Sequence, residues 1–165
     1  MESRVKLLGH PIHPMLIVFP LGLLATAVVF DVLYVSTGNR DLSTFSFWAL
    51  IAGLVGGLSA AIFGLIDWLA IPAGTRAKRI GVWHGGGNLV VVALFALSLV
   101  SRLGRSAYLP DAVPVILGLA GAGVALFTAW LGGELVYRLG VAVDDDANLD
   151  ASNSISREGV AEVKA

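Results

Sequence analysis

The chain has 165 residues, 56% of them hydrophobic and only 14% charged, with a mean hydropathy of +0.82. Soluble domains carry roughly a quarter charged residues, so a water-soluble globule is excluded and an integral membrane protein is implied. The formal charge of −1 points to neither nucleic acid nor an acidic partner, and the lack of cysteine removes disulfides, thiolate metal sites and cysteine nucleophiles.

The first element opens on "GHPIHP", residues 9–14. A residue before proline is pushed out of the α region. His10 and His13 are therefore expected to be extended or at cap positions, with Pro14 at the first helical position. A first span is predicted over residues 15–34. Arg4, Lys6 and the "ATA" at 25–27 resemble parts of a signal peptide. The apolar run nevertheless continues through "VVFDVLYV" to full spanning length, so the helix is expected to be retained. Pro20 should kink it and free a carbonyl near Leu16. Asp31 lies roughly 27 Å from His13 at 1.5 Å per residue, so it belongs to a separate site or a local pair.

A second span is predicted over residues 45–71, after "STGNRDLS". Along it Gly53, Gly57, Ala60, Gly64 and Asp67 recur at spacings of 4, 3, 4 and 3. A third is predicted over 80–100, after "PAGTRAKR", and opens on "HGGGN", in which His84 and Asn88 share one helix face. A fourth is predicted over 112–137, after "SRLGRSAYLPD", with Gly118, Gly121, Ala125, Ala129 and Gly132 as a second small-residue stripe and Glu134 near its end. Such stripes let backbones approach closely, and they also make room for a flat ligand between helices. Beyond a membrane domain of residues 1–143, residues 144–165 are polar and acidic and are expected to form a disordered cytoplasmic tail.

Short connectors make sequential spans antiparallel, so the expected fold is all-α: a four-helix transmembrane bundle, up-down-up-down. Arg4, Lys6, Arg76, Lys78, Arg79 and Arg138 flank one side and Arg40, Arg102 and Arg105 the other, which places both termini in the cytoplasm of an inner-membrane protein. Trp68, Trp83, Trp130 and Tyr137 then mark the cytoplasmic interface, and Tyr34, Trp48 and Tyr108 the outer one. His10, His13, Asp67, His84, Asn88 and Glu134 all fall at the cytoplasmic end. Each hairpin begins with a histidine and ends with an acid, His13 with Asp67 and His84 with Glu134, the pattern of a parallel repeat about a two-fold along the membrane normal.

Ionisable groups in spans are costly and usually functional. One reading is a redox-linked subunit with a b-type haem between spans one and three. Its ligands would be His84 and either His13 or His10, with Asn88 beside them, Arg76 near the propionates, and Asp67 and Glu134 orienting the rings. A second is a divalent metal ion drawing on His10, His13, His84, Asp67 and Glu134. A third is a proton-coupled transporter, which with four spans would need a homodimer. The fourth is an assembly subunit whose polar cluster is a hydrogen-bond network. No nucleophile elbow, phosphate loop or dinucleotide fingerprint is present, so no enzymatic activity is expected.

Taken together, "GHPIHPMLIVFPLGLL", "FGLIDWLAIP", "HGGGN" and "WLGGELVYRLGVAV" resemble a bacterial family of small four-span membrane proteins catalogued only as a domain of unknown function. The resemblance covers residues 7–143 and brings a fold rather than an activity. Some relatives are joined to Rieske-type iron–sulfur or cytochrome-like domains, which implies an electron-transfer partner protein alongside the lipid bilayer.

Overall fold

The computed structural model describes residues 1–155 and shows a bundle of long helices preceded by a short β-hairpin. The hairpin pairs β1 (Lys6–Leu7) with β2 (His10–Pro11). Its two-residue turn, Leu8 and Gly9, has φ of 51° and 82°, the double positive φ that suits the twist of paired strands. The chain then enters α1 (Ile12–Leu16), α2 (Val18–Thr37), α3 (Arg40–Ala70), α4 (Arg76–Val100) and α5 (Ala112–Gly133), with a last wide turn over Glu134–Arg138. Four helical segments are long and apolar enough to cross a membrane: Ile12–Thr37, Arg40–Ala70, Arg76–Val100 and Ala112–Arg138.

These helices run further than the apolar stretches alone indicate, because capping side chains draw the connectors in. Asn39 accepts a hydrogen bond from the Asp41 amide, Thr75 from that of Lys78, and Asp111 from that of Val113, each satisfying an orphan donor of a helix start. Gly38, in the left-handed region at φ 70°, ends α2 by donating to the Tyr34 carbonyl. The break between α1 and α2 falls at Ile17, three residues before Pro20, as expected of a proline that cannot donate to the Leu16 carbonyl. His10 is extended, in β2, but His13 is helical, which corrects the expectation for that residue. Pro11 occupies the cap position instead, so Pro14 falls at the third helical residue, where its missing N–H is still one of the unpaired donors of a first turn.

Around the bundle α2 packs on α3, α3 on α4, α4 on α5 and α5 back on α2. The core is built by Leu24, Ala27, Ala49, Leu50, Leu54, Val91 and Phe95. Glycines let large residues seat deeply. A Cβ on Gly53 would stand 2.7 Å from Leu24, and one on Gly121 would stand 2.9 Å from Phe95. Large apolar side chains on the outer faces, Val29, Val55, Leu89 and Leu126 among them, stay exposed, as a lipid-facing surface requires.

Both ends of the described chain meet at one end of the bundle. The buried Asp67 carboxylate accepts from the Ser3 hydroxyl at 2.8 Å and from the Arg4 amide at 2.8 Å. The Met1 nitrogen donates to the Gly140 carbonyl, and Ser154 donates to the Leu8 carbonyl beside the hairpin turn. Residues 144–155 form isolated turns, and the remainder of the expected tail, 156–165, lies outside the described residues.

Candidate functional site

At that same end, α1 and α4 bring two imidazoles together. The His13 and His84 ring centroids lie 6.5 Å apart with planes at 88°. Each ring is held by the other helix of its own hairpin. His13 Nδ1 is 2.8 Å from the Ala60 carbonyl oxygen on α3, and His84 Nδ1 is 2.9 Å from that of Thr128 on α5. A carbonyl only accepts, so each Nδ1 carries a proton, and in a neutral ring Nε2 then keeps its lone pair.

The niche for each ring is made by the residue one turn beyond that carbonyl. A Cβ on Gly64 would stand 2.8 Å from His13 Cε1, and one on Gly132 would stand 3.2 Å from His84 Cε1. Glycine at i+4 therefore leaves the gap into which an imidazole drops to reach the carbonyl of residue i. On the His84 side the polar contacts continue. Asn88 Nδ2 lies 3.2 Å from His84 Nε2, to which it donates, and Asn88 Oδ1 accepts from the Thr128 hydroxyl at 3.0 Å.

The other expected site residues lie apart from this pair. His10 is exposed, its Nε2 3.3 Å from the Ser154 hydroxyl. Asp67 is held by Ser3 and Arg4, three residues beyond Gly64 toward the terminal end. Glu134 accepts from Arg76 at 2.7 Å, so Arg76 is engaged by a carboxylate rather than presented to a ligand. Neither acid supports an imidazole; backbone carbonyls do that. Among the described residues, no group of three or more histidine, aspartate or glutamate side chains is gathered closely enough to hold a metal ion. The five-residue metal set is thus not assembled, because each acid has a nearer partner of its own.

A second polar feature, missed at the sequence level, lies at the opposite end. Arg102 is fully buried and forms a two-pronged ion pair with Asp31 on α2, through Nη1 to Oδ1 at 2.8 Å and Nη2 to Oδ2. Its guanidinium also donates to Ser46 at 3.1 Å and Ser98 at 3.0 Å. The signal was present in the need of an in-span acid for a cation, with Arg102 and Arg105 at the right depth. Arg105 instead pairs with Asp111 at 2.7 Å in the loop. With Arg102 inside the bundle, the flanking basic residues stand at six against two.

A family model described as a predicted membrane protein matches residues 9–145, a segment that takes in all four spans and both imidazoles. No curated protein and no solved structure gives a significant match.

Proposed function

The chain belongs to the DUF2231 family of predicted membrane proteins, and from that premise we propose that it is a multi-pass subunit that holds a b-type haem between His13 and His84 and serves electron transfer. The observation that carries this reading is the imidazole pair, fixed by two backbone carbonyls at a centroid separation of 6.5 Å. His13 and His84, one from each hairpin, are the residues that would hold the group. Nδ1–H donation to a carbonyl leaves His13 Nε2 to coordinate, and His84 Nε2 would do so once the Asn88 amide turns away from it.

The donor set favours haem over a bare ion. Among the described residues no third histidine or carboxylate is gathered with the two imidazoles, which would leave a divalent ion short of ligands. A porphyrin would bring nitrogen ligands of its own, so two imidazoles would suffice to hold it. When bound, haem supplies a one-electron couple whose potential follows from its axial ligands and burial. The basic flanks, six against two, support cytoplasmic termini in an inner membrane.

The test is the visible spectrum of protein purified after expression with ample haem. A Soret band is expected, lost in both His13→Ala and His84→Ala but retained in His10→Ala. A second reading, a haem-free assembly subunit, is favoured by the Asn88 amide at His84 Nε2. Folded, colourless wild-type protein would establish it in place of the first.

A further inference from the structure

The two hairpins repeat one another at four principal contacts, in a register different from the one the acids indicate. His13 and His84, Leu24 and Phe95, Ala27 and Ser98, and Asp31 and Arg102 are each 71 residues apart. Ala60 and Thr128, Gly64 and Gly132, Gly53 and Gly121, and Ser46 and Pro114 are each 68 apart. Within hairpin one His13 docks on the Ala60 carbonyl and the Gly64 niche; within hairpin two His84 docks on the Thr128 carbonyl and the Gly132 niche. Leu24 fills the space above Gly53 as Phe95 fills that above Gly121. Ser46 donates to the Ala27 carbonyl at 3.0 Å, and at the matching positions Ser98 donates to the Pro114 carbonyl at 2.9 Å, donor and acceptor exchanged between helices. Asp67 and Glu134 do not correspond, since their partners in this register are Leu135 and Ile66.

Two pairs bridge the hairpins from equivalent positions, His13 with His84 near one end and Asp31 with Arg102 near the other. They mark a two-fold axis along the bundle. On such an axis, identical hairpins would set Asp31 against Asp31 or Arg102 against Arg102. Like charges facing one another out of water are heavily penalised, whereas the mixed pairing joins opposite charges.

The pair is not tuned for stability alone. Arg102 Nε is buried without a hydrogen-bond partner, and buried ion pairs are commonly no better than apolar residues of the same volume. We propose that the chain is a fused pair of copies of one hairpin unit, and that Asp31–Arg102 is the key by which residues 12–70 accept residues 76–138 rather than the same hairpin of a second copy of the chain.

The test uses full-length variants in detergent, read by molecular mass in solution and by thermal unfolding. Asp31→Arg and Arg102→Asp, made singly, should each lose the folded, monodisperse species. The two together should restore the wild-type mass and melting, because the positions are equivalent. Asp31→Leu with Arg102→Leu should melt at or above the wild-type temperature yet form larger species whose share rises with concentration, as like hairpins become able to pair. The proposal is overturned if the charge exchange behaves no better than the single reversals. It is overturned equally if the leucine pair keeps the wild-type mass distribution, or fails to fold.

Discussion

The decisive residues of the candidate site are small ones. Gly64 and Gly132 define how close a ring can come to a helix backbone, and the two niches differ in tightness, 2.8 Å against 3.2 Å for an added Cβ. Gly64→Ala should therefore lower the melting temperature more than Gly132→Ala, with a cost of about 1–3 kcal/mol for overpacking at the tighter position. Gly123 has nothing within 4 Å of an added Cβ, and Gly123→Ala should be neutral or stabilising by up to about 1 kcal/mol, since alanine favours helix. Thermal unfolding of the three variants in one detergent checks the order. The glycine stripes and both histidines were legible from spacing alone. The convergence of acids on imidazoles was misread because Asp67 takes its partners from Ser3 and Arg4, more than sixty residues away in the chain. No periodicity records a contact of that range.

At the scale of elements, caps account for the difference between expected and observed helix bounds, and one cap carries a pH dependence. Asp111 begins α5 by accepting from the Val113 amide and pairs with Arg105. The hydrogen bond from Arg105 holds its carboxyl below the usual carboxylate value. A folded pKa below the unfolded one gives a contribution present above the ordinary carboxylate range and lost as pH falls through the lowered value. The loop over 101–111 should thus be unaffected by pH near neutrality and should loosen only in that acid window. Asp111→Asn, which keeps a good capping side chain, should remove the pH dependence while α5 persists. Hydrogen exchange of residues 105–113, corrected for intrinsic rates, is the measurement. The loop has its own fastening, with Tyr108 stacked on Phe47 at 3.7 Å and Ser43 donating to the Ala107 carbonyl. Tyr108, expected at the outer interface, packs its ring on Phe47 there.

For the whole molecule, architecture was the most readable level, because four long apolar runs with short connectors leave few alternatives to an antiparallel bundle. The polar groups occupy two separate stations, His13, His84, Asn88 and Thr128 near one end and Asp31, Arg102, Ser46 and Ser98 near the other. Between them lie Leu24, Ala27, Leu50, Leu54, Val91 and Phe95, tightly packed. Among the described residues, none of the side chains in that layer could relay a proton. Proteoliposomes carrying the protein should show no pH-driven proton flux above that of empty vesicles, measured with an entrapped pH dye. A flux abolished by Asp31→Asn would instead point to the transport reading.

The strap formed by the first residues sets an order of events during synthesis. Ser3 leaves the ribosome long before its partner Asp67, and Met1 long before Gly140. At 5–20 residues per second the second delay is on the order of ten seconds, whereas helices and hairpins form within microseconds. The first two spans have therefore met while the end of the bundle above His13 still stands open. The Met1 tie to Gly140 forms only when the last helix is complete, whereas Ser3 and Arg4 can hold Asp67 as soon as the second span is made, so a nascent chain arrested before residue 140 should free only its first two residues while Ser3 and Arg4 stay docked. Until the third span is made, His13 stands in its Gly64 niche without the imidazole it later faces.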